Sequence, residues 1–303
     1  AQSTADDPNV RDSIAALWQH SAEATRPADL LALPQLADLQ SELLPRLEVH
    51  GYDGFAVFDR DWRVIAAQRD ELVGRQRPPV QPNLEETIFQ EHRPAVTRPF
   101  RSTVPLPTDD GPPRAGVPTM FVLAPVQNHD HEVIAALGLR IPPDGEFSRL
   151  LSIGRAGETG ETYAFDQSGV MLSPSRFDER LRKIGLLPDR IDANSMLSVQ
   201  LRDPGVNMAE GDRPTQPVSE RPLTRMARSA TAGRSGVDVD GYRDYRGVPV
   251  VGAWTWLDEY GVGVATEIDV AEAYRPLRLL RNMFLSLLGL LAAASAATVV
   301  FSL

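Results

Sequence analysis

The sequence predicts an α+β fold: a helical segment, two antiparallel-sheet modules built to one plan, and an apolar C-terminal helix. Three observations carry this. Apolar residues recur at three- and four-residue spacing before residue 50 and alternate or cluster in strand-length runs after it. A Phe-Asp pair closing an apolar run occurs twice, at Phe58-Asp59 and Phe165-Asp166. The stretch from Met283 to Leu303 holds no charged residue, although the 303-residue chain carries 31 basic and 41 acidic groups. Successive hairpins imply antiparallel pairing, and no strand-helix-strand alternation is visible.

In order along the chain, Val10, Ile14 and Leu17, then Leu36, Leu39, Leu43 and Leu47, predict two helical segments interrupted near Pro27 and Pro34. GFAVFDRDWRVIAAQ (54–68) alternates and turns as a hairpin. Ten prolines between Pro78 and Pro118 make that stretch loop-rich, with one short helix around Glu85 to Glu91. MFVLAPV and VIAALGLRI, flanking QNHDHE, form the next hairpin. The second half repeats the plan: TYAFDQSGVMLS (162–173) answers the first hairpin, a polar middle follows, and VPVVGAWTWL with GVGVATEI closes it. Gly154, Gly157 and Gly160 read as a flexible link between the halves. Asp269 with Glu272 has capping-box spacing, and Pro276 predicts a kink ahead of the apolar helix.

Residues 283–303, at about 1.5 Å per residue, reach about 30 Å, the thickness of a bilayer's hydrocarbon core. Gly289, Ala293 and Ala297 recur every fourth residue, the spacing at which membrane helices approach closely. Arg275, Arg278 and Arg281 precede this span and, by the positive-inside rule alone, would face the cytoplasm. A long domain escapes that rule when an upstream segment sets the topology. The start AQSTADDP, without methionine, fits a chain whose upstream signal or first span is missing. The last 35 residues carry three arginines against Asp269 and Glu272, so residues 1–268 hold a net −11 and do not suit a nucleic-acid partner. The absence of cysteine excludes disulfides and thiolate metal sites.

GETGETYAFDQSGVMLSPSRF (157–177), with GYRDYRGVPVVGAWTWLDEYGVGVATEID (241–269), resembles the membrane-proximal module of double Cache domains. The resemblance covers about residues 10–281. It implies an N-terminal helical spine (1–49), a membrane-distal PAS-like module (50–150), a membrane-proximal PAS-like module (151–268), and a juxtamembrane helix and span (269–303). It further implies an extracytoplasmic sensor in the inner membrane, residues 1–268 outside, that binds a small molecule and signals to a cytoplasmic output such as a histidine or serine/threonine kinase or a cyclase. A homodimer follows from the same reading, with Leu36, Leu39, Leu43 and Leu47 supplying part of the contact. The competing expectation is a membrane-tethered adhesion or scaffold domain without a small ligand.

No phosphate-binding loop and no nucleophile elbow are present, so no catalytic residue, cofactor or metal is expected. His129, Asp130 and His131 fall where a hairpin must turn. Ser175 is expected to bond within its own turn. The resemblance to double Cache sensors implies ligand binding in the distal module, which here means a pocket between the sheet and residues 69–119. The first candidates there are Arg98, Phe100 and Arg101, because guanidinium forks grip carboxylates and an aromatic covers an apolar body. In the proximal module Tyr242, Arg243, Asp244 and Trp254 are candidates for a second site, against core packing of Trp254 and Trp256 on one strand face. Arg176 and Asp244 are expected to pair.

Overall fold

The computed structural model describes every residue except Thr25, 78–80, Pro82, 109–110, Ile191 and Leu303, and at 299, 300 and 302 the backbone alone. Part of the proline-rich stretch, Pro78, Pro79 and Pro82, and the end of the apolar stretch, Leu303, thus lie outside the described residues.

The chain opens with α1 (Gln2–Ala5), α2 (Pro8–Ser21), α3 (Pro27–Leu31) and α4 (Pro34–His50). The Asp7 carboxylate accepts from the N–H groups of Asn9 and Val10 at 3.1 and 3.5 Å, and Pro8 supplies the preset φ of a first helical position. Gly51, at φ 69°, ends α4. Next come β1 (Gly54–Asp59), β2 (Val64–Ala67), a π-turn at Glu86–Gln90, β3 (Ala95–Val96), β4 (Phe100–Arg101), a ribbon of β5 (Leu106–Thr108) and β6 (Gly111–Arg114), β7 (Pro118–Gln127) and β8 (Val133–Ile141). The distal sheet runs β2-β1-β8-β7-β3, all antiparallel, with β4 also on β7.

Strand alternation divides this sheet cleanly. Phe55 and Val57 face α2 and α4, where they pack with Val10, Ile14, Leu17, Leu39 and Leu43. Ala56 and Phe58 face the irregular cover, with Trp62, Leu84, Ile88 and Leu123. The expected helical periodicity of 10–47 is therefore a core stripe. Leu36, Leu39, Leu43 and Leu47 are buried against their own sheet, so the dimer contact expected of them does not exist on that face. Leu43→Ala is expected to lower unfolding stability by about 2–5 kcal/mol, from lost transfer energy and the void left behind, seen as a lower urea midpoint.

After α5 (Glu146–Ile153), the proximal sheet is built from β9 (Glu161–Phe165), β10 (Gly236–Arg243), β11 (Pro249–Leu257) and β12 (Val262–Asp269), in the order β10-β11-β12-β9, with α6 (Asp178–Lys183) and α7 (Arg225–Thr231) in the insertion. β12 runs directly into α8 (Val270–Ala273), which a single turn residue, Tyr274, separates from the 28-residue α9 (Arg275–Ser302). The break falls just before Pro276, where the kink was expected. The described part of α9 is long and apolar enough to cross a membrane, and its side chains are exposed throughout.

Two local expectations change. The segment 154–160 is a built turn rather than a flexible link: the Glu272 carboxylate accepts from the N–H groups of Glu158 and Thr159 at 2.8 and 2.7 Å and from the Thr159 hydroxyl. For the same reason no capping box forms, since Glu272 is spent on that turn and the Asp269 side chain caps nothing.

Candidate functional site

Four hairpin turns share one construction. In each, an Asx side chain accepts backbone N–H bonds from residues two and four positions on: Asp59 from Asp61 and Arg63, Asn128 from Asp130 and Glu132, Asp166 from Ser168 and Val170, and Asp244 from Arg246 and Val248, all at 2.8–3.0 Å. The fourth position of each turn has positive φ, and in the proximal module it is glycine both times, Gly169 at 76° and Gly247 at 79°. In the distal module it is His131 at 63°, exposed at the hairpin tip, and Trp62 at 59°. His129 lies in the same solvated turn, 3.6 Å from Asp12.

Trp62 is the anomaly. A bulky residue in the left-handed region costs about 1–2 kcal/mol, and such strain concentrates at binding sites. The indole is buried, in tilted or edge contact with Phe58 and Phe89 at 5.7 Å between ring centroids. It lines a cavity of about 300 Å³ on the cover face of the distal sheet, with Phe58, Phe121, Leu123 and Phe100 as apolar walls. Phe100 and Phe121 stack there with centroids 6.0 Å apart.

Three polar atoms of the cavity's lining residues are buried without a hydrogen-bond partner among the described residues: Trp62 Nε1, Arg77 Nη2 and Thr119 Oγ1. Burial pushes the Arg77 guanidinium down, and nearby Arg75 adds to the shift. Arg140 also lines the cavity, but Asp53 at 3.3 Å shares its charge. No Asp or Glu is among the described lining residues.

Of the three distal candidates, the structure brings only Phe100 to this cavity. The Arg98 backbone N–H donates to Gln81 Oε1 at 2.7 Å, and its guanidinium reaches the Gly261 carbonyl of the proximal module at 3.4 Å. Arg101 also reaches across, donating to the Leu197 carbonyl at 2.8 Å and Ser198 Oγ at 2.9 Å. These arginines tie the modules together. Sequence reasoning missed Trp62, Arg77 and Thr119.

The proximal candidates form a polar core. The Tyr242 and Tyr163 hydroxyls each donate to Glu267 at 2.6 Å, and Trp254 packs edge-on against Tyr242 with centroids 5.8 Å apart. Burial, reinforced by the negative charge of Asp244, pushes the Glu267 carboxyl up to about 8 against the lowering effect of the two tyrosines. Glu161 accepts from Ser175 Oγ at 2.5 Å and the Tyr245 hydroxyl at 2.9 Å, and burial raises its pKa as well. Ser175 Oγ also accepts from the Phe177 N–H at 2.9 Å, so it bonds within its own turn as expected and beyond it as well. Arg243 lies outside this core, paired with Asp203 at 2.9 and 3.0 Å.

The expected Arg176–Asp244 pair is absent. Arg176 donates to the carbonyls of Gly157 and Gly160, while Asp244 takes Arg246 at 2.6 Å. Arg246 is nearer because the turn that fixes Asp244 also folds the residue two positions on over it. The same guanidinium reaches Asp269 at 2.8 Å and stacks 3.9 Å from the Phe177 ring centroid. Burial pushes the Asp244 carboxyl up to about 6 although Arg246 opposes this.

No protein-family model matches the chain, and no curated protein matches it. Among solved structures it is similar to the periplasmic domain of RsbU from Chlamydia trachomatis, with 14% identity over 81% of this chain and 80% of that one and a TM-score of 0.46. It is also similar to the sensor domain of the V. cholerae histidine kinase DctB, with 12% identity over 88% of this chain and 85% of that one and a TM-score of 0.44. A third is the ligand-binding domain of the Campylobacter jejuni chemoreceptor Tlp3 in complex with L-norvaline, with 12% identity over 88% and 84% and a TM-score of 0.41.

Proposed function

We propose that residues 1–268 are the extracytoplasmic sensing region of a membrane receptor, with the distal cavity in module 50–150 as the ligand site and module 151–268 coupling it to the membrane helix. The output is a cytoplasmic activity such as a protein kinase. The observation that carries this reading is the cavity's three polar atoms without a hydrogen-bond partner among the described residues. A buried polar group without a partner costs about 1–3 kcal/mol, so three around one apolar cavity are groups held for a ligand. Arg77, with no carboxylate in ion-pair range among the described residues, favours an anion or a strong acceptor, Arg140 adding a charge already shared with Asp53, and the phenylalanine walls favour an apolar body. Two copies acting together gain support from Gly289, Ala293 and Ala297, which present one exposed small-residue face on α9.

A thermal-shift screen of the full chain in detergent, against carboxylates with branched or aromatic bodies, amines, purines and sugars, tests the reading. Carboxylates are expected to raise the melting midpoint. Arg77→Gln is expected to weaken the best of them by about 10- to 100-fold in titration calorimetry, the worth of a hydrogen bond to a charged group. Uniformly flat midpoints would leave the tethered adhesion or scaffold reading in its place.

A further inference from the structure

At the opposite end of the body, a second and larger depression of about 800 Å³ lies where α6 and the turn Met208–Glu210 meet β11, α8 and the first turn of α9. Its floor is apolar, with Ile184, Val248 and Val270, and its rim is cationic, with Arg180, Lys183 and Arg278. Arg278 is partly engaged, donating to the Val270 and Ala271 carbonyls at 3.2 and 2.6 Å. Among the described residues Lys183 holds only an exposed ion pair with Glu179 at 2.7 Å. Arg180 lies over the Phe177 ring at 5.6 Å, with no carboxylate in ion-pair range among the described residues. The two carboxylates of the rim are already engaged, Asp269 with Arg246 and Glu210 with the Asn207 side-chain amide at 2.8 Å.

The depth of this groove decides what it meets. Arg278 lines it, and the uncharged stretch begins at Met283, five residues on, or about 7.5 Å along the helix axis. A headgroup layer is about 5–8 Å thick on each side of the hydrocarbon core. Leu277, Leu279 and Leu280 are exposed between Arg275 and Arg281, the mixture of cation and hydrocarbon expected of an interfacial segment. A cationic rim at this level, on a body whose net charge is strongly negative, selects an anionic partner that arrives from the membrane.

We propose that this groove binds an anionic phospholipid of the bilayer that α9 crosses. Arg180 and Lys183 hold the headgroup phosphate, and the floor of Ile184, Val248 and Val270 receives the glycerol and first acyl carbons. The site rests on α9 being a span and is independent of any ligand in the distal cavity.

The test uses the full chain reconstituted in nanodiscs of phosphatidylcholine and phosphatidylglycerol, and compares immobilisation of spin-labelled forms of the two lipids. Wild type is expected to favour phosphatidylglycerol. The double variant R180Q/K183Q is expected to lose about fivefold of that preference per cation removed, with an unchanged melting midpoint because both side chains are exposed. The variant R275Q/R281Q, whose side chains lie outside the groove, is expected to retain a preference, and inorganic phosphate is expected not to compete. The proposal is overturned if R180Q/K183Q changes nothing while R275Q/R281Q abolishes the preference, which would leave helix charge alone. Displacement by inorganic phosphate overturns it in favour of a free-anion site. Alkaline carbonate extraction of membranes carrying the full chain separates the remaining case: a chain that washes off refutes the span and the lipid site together.

Discussion

Arg246→Met is expected to lower the stability of the proximal module by about 3–5 kcal/mol, the cost of leaving buried charge without its partner. The guanidinium bridges Asp244 at 2.6 Å and Asp269 at 2.8 Å, and its side chain and that of Asp244 are 5% and 1% exposed. Removing it strands one fully buried carboxylate and one nearly buried, and uncovers the face of Phe177. Arg246→Lys keeps the charge but has neither the two-pronged reach nor the flat stacking surface, so it should fall between methionine and wild type. Chemical denaturation monitored by tryptophan fluorescence reads both changes, since Trp254 and Trp256 lie in the same module. A loss under about 1 kcal/mol, the range of exposed pairs, would show that the bridge is no more than a surface contact.

The second large effect is a stability that falls as pH rises from about 5 to 8. Glu267 has an ordinary value of 4.5 and is pushed up to about 8 in the folded protein, so between these values the unfolded chain has released a proton that the folded chain retains. The folded state binds more protons, and stability therefore decreases with pH across that window. Below it both states are protonated and there is no penalty, while above it the penalty is fully present. Asp244, pushed up to about 6, acts with the same sign over a lower window. The carboxylates with lowered values, Asp7, Glu179 and Glu272, act oppositely, and only at more acid pH. Glu267→Gln keeps an acceptor for a tyrosine hydroxyl and removes the titration. It is expected to flatten about 2–4 kcal/mol of pH dependence between pH 5 and 8. Melting midpoints of wild type and variant along that pH series check this, and parallel profiles would mean that Glu267 is already ionised in the fold.

Much of the fold was legible because its signals are local. Val10, Ile14 and Leu17 lie on one helix face, and Phe55 to Phe58 alternate between two buried sheet faces, so period and composition suffice. The duplicated plan was legible at Phe58-Asp59 and Phe165-Asp166, and the Asx side chain that builds each turn explains why aspartate recurs there. The site was less legible because its partners converge from distant segments: Trp62 from a turn, Arg77 from the cover, Thr119 from β7. One signal was available. Laying the two Phe-Asp hairpins over one another sets Trp62 opposite Gly169, and a tryptophan where the backbone asks for glycine marks a position kept for its side chain. Arg98 and Arg101 have the right chemistry for a ligand, but their reach to Gly261 and Leu197 is a tertiary contact that no spacing encodes.

The direct run of β12 into α8 and α9 has a mechanical consequence. No loop intervenes to absorb motion, and the junction is pinned on both sides, by Arg246 at Asp269 and by the 158–159 turn at Glu272. The 28 residues of α9 make an arm of about 42 Å. By simple leverage, a tilt of about 2° at its root sweeps the far end through about 1.5 Å, comparable to the 1–2 Å helix shifts that switch packed interfaces. The proximal sheet is thus joined to α9 as a short crank is to a long shaft, so that a small tilt at the sheet's end becomes a displacement of ångström size at the far end of the helix.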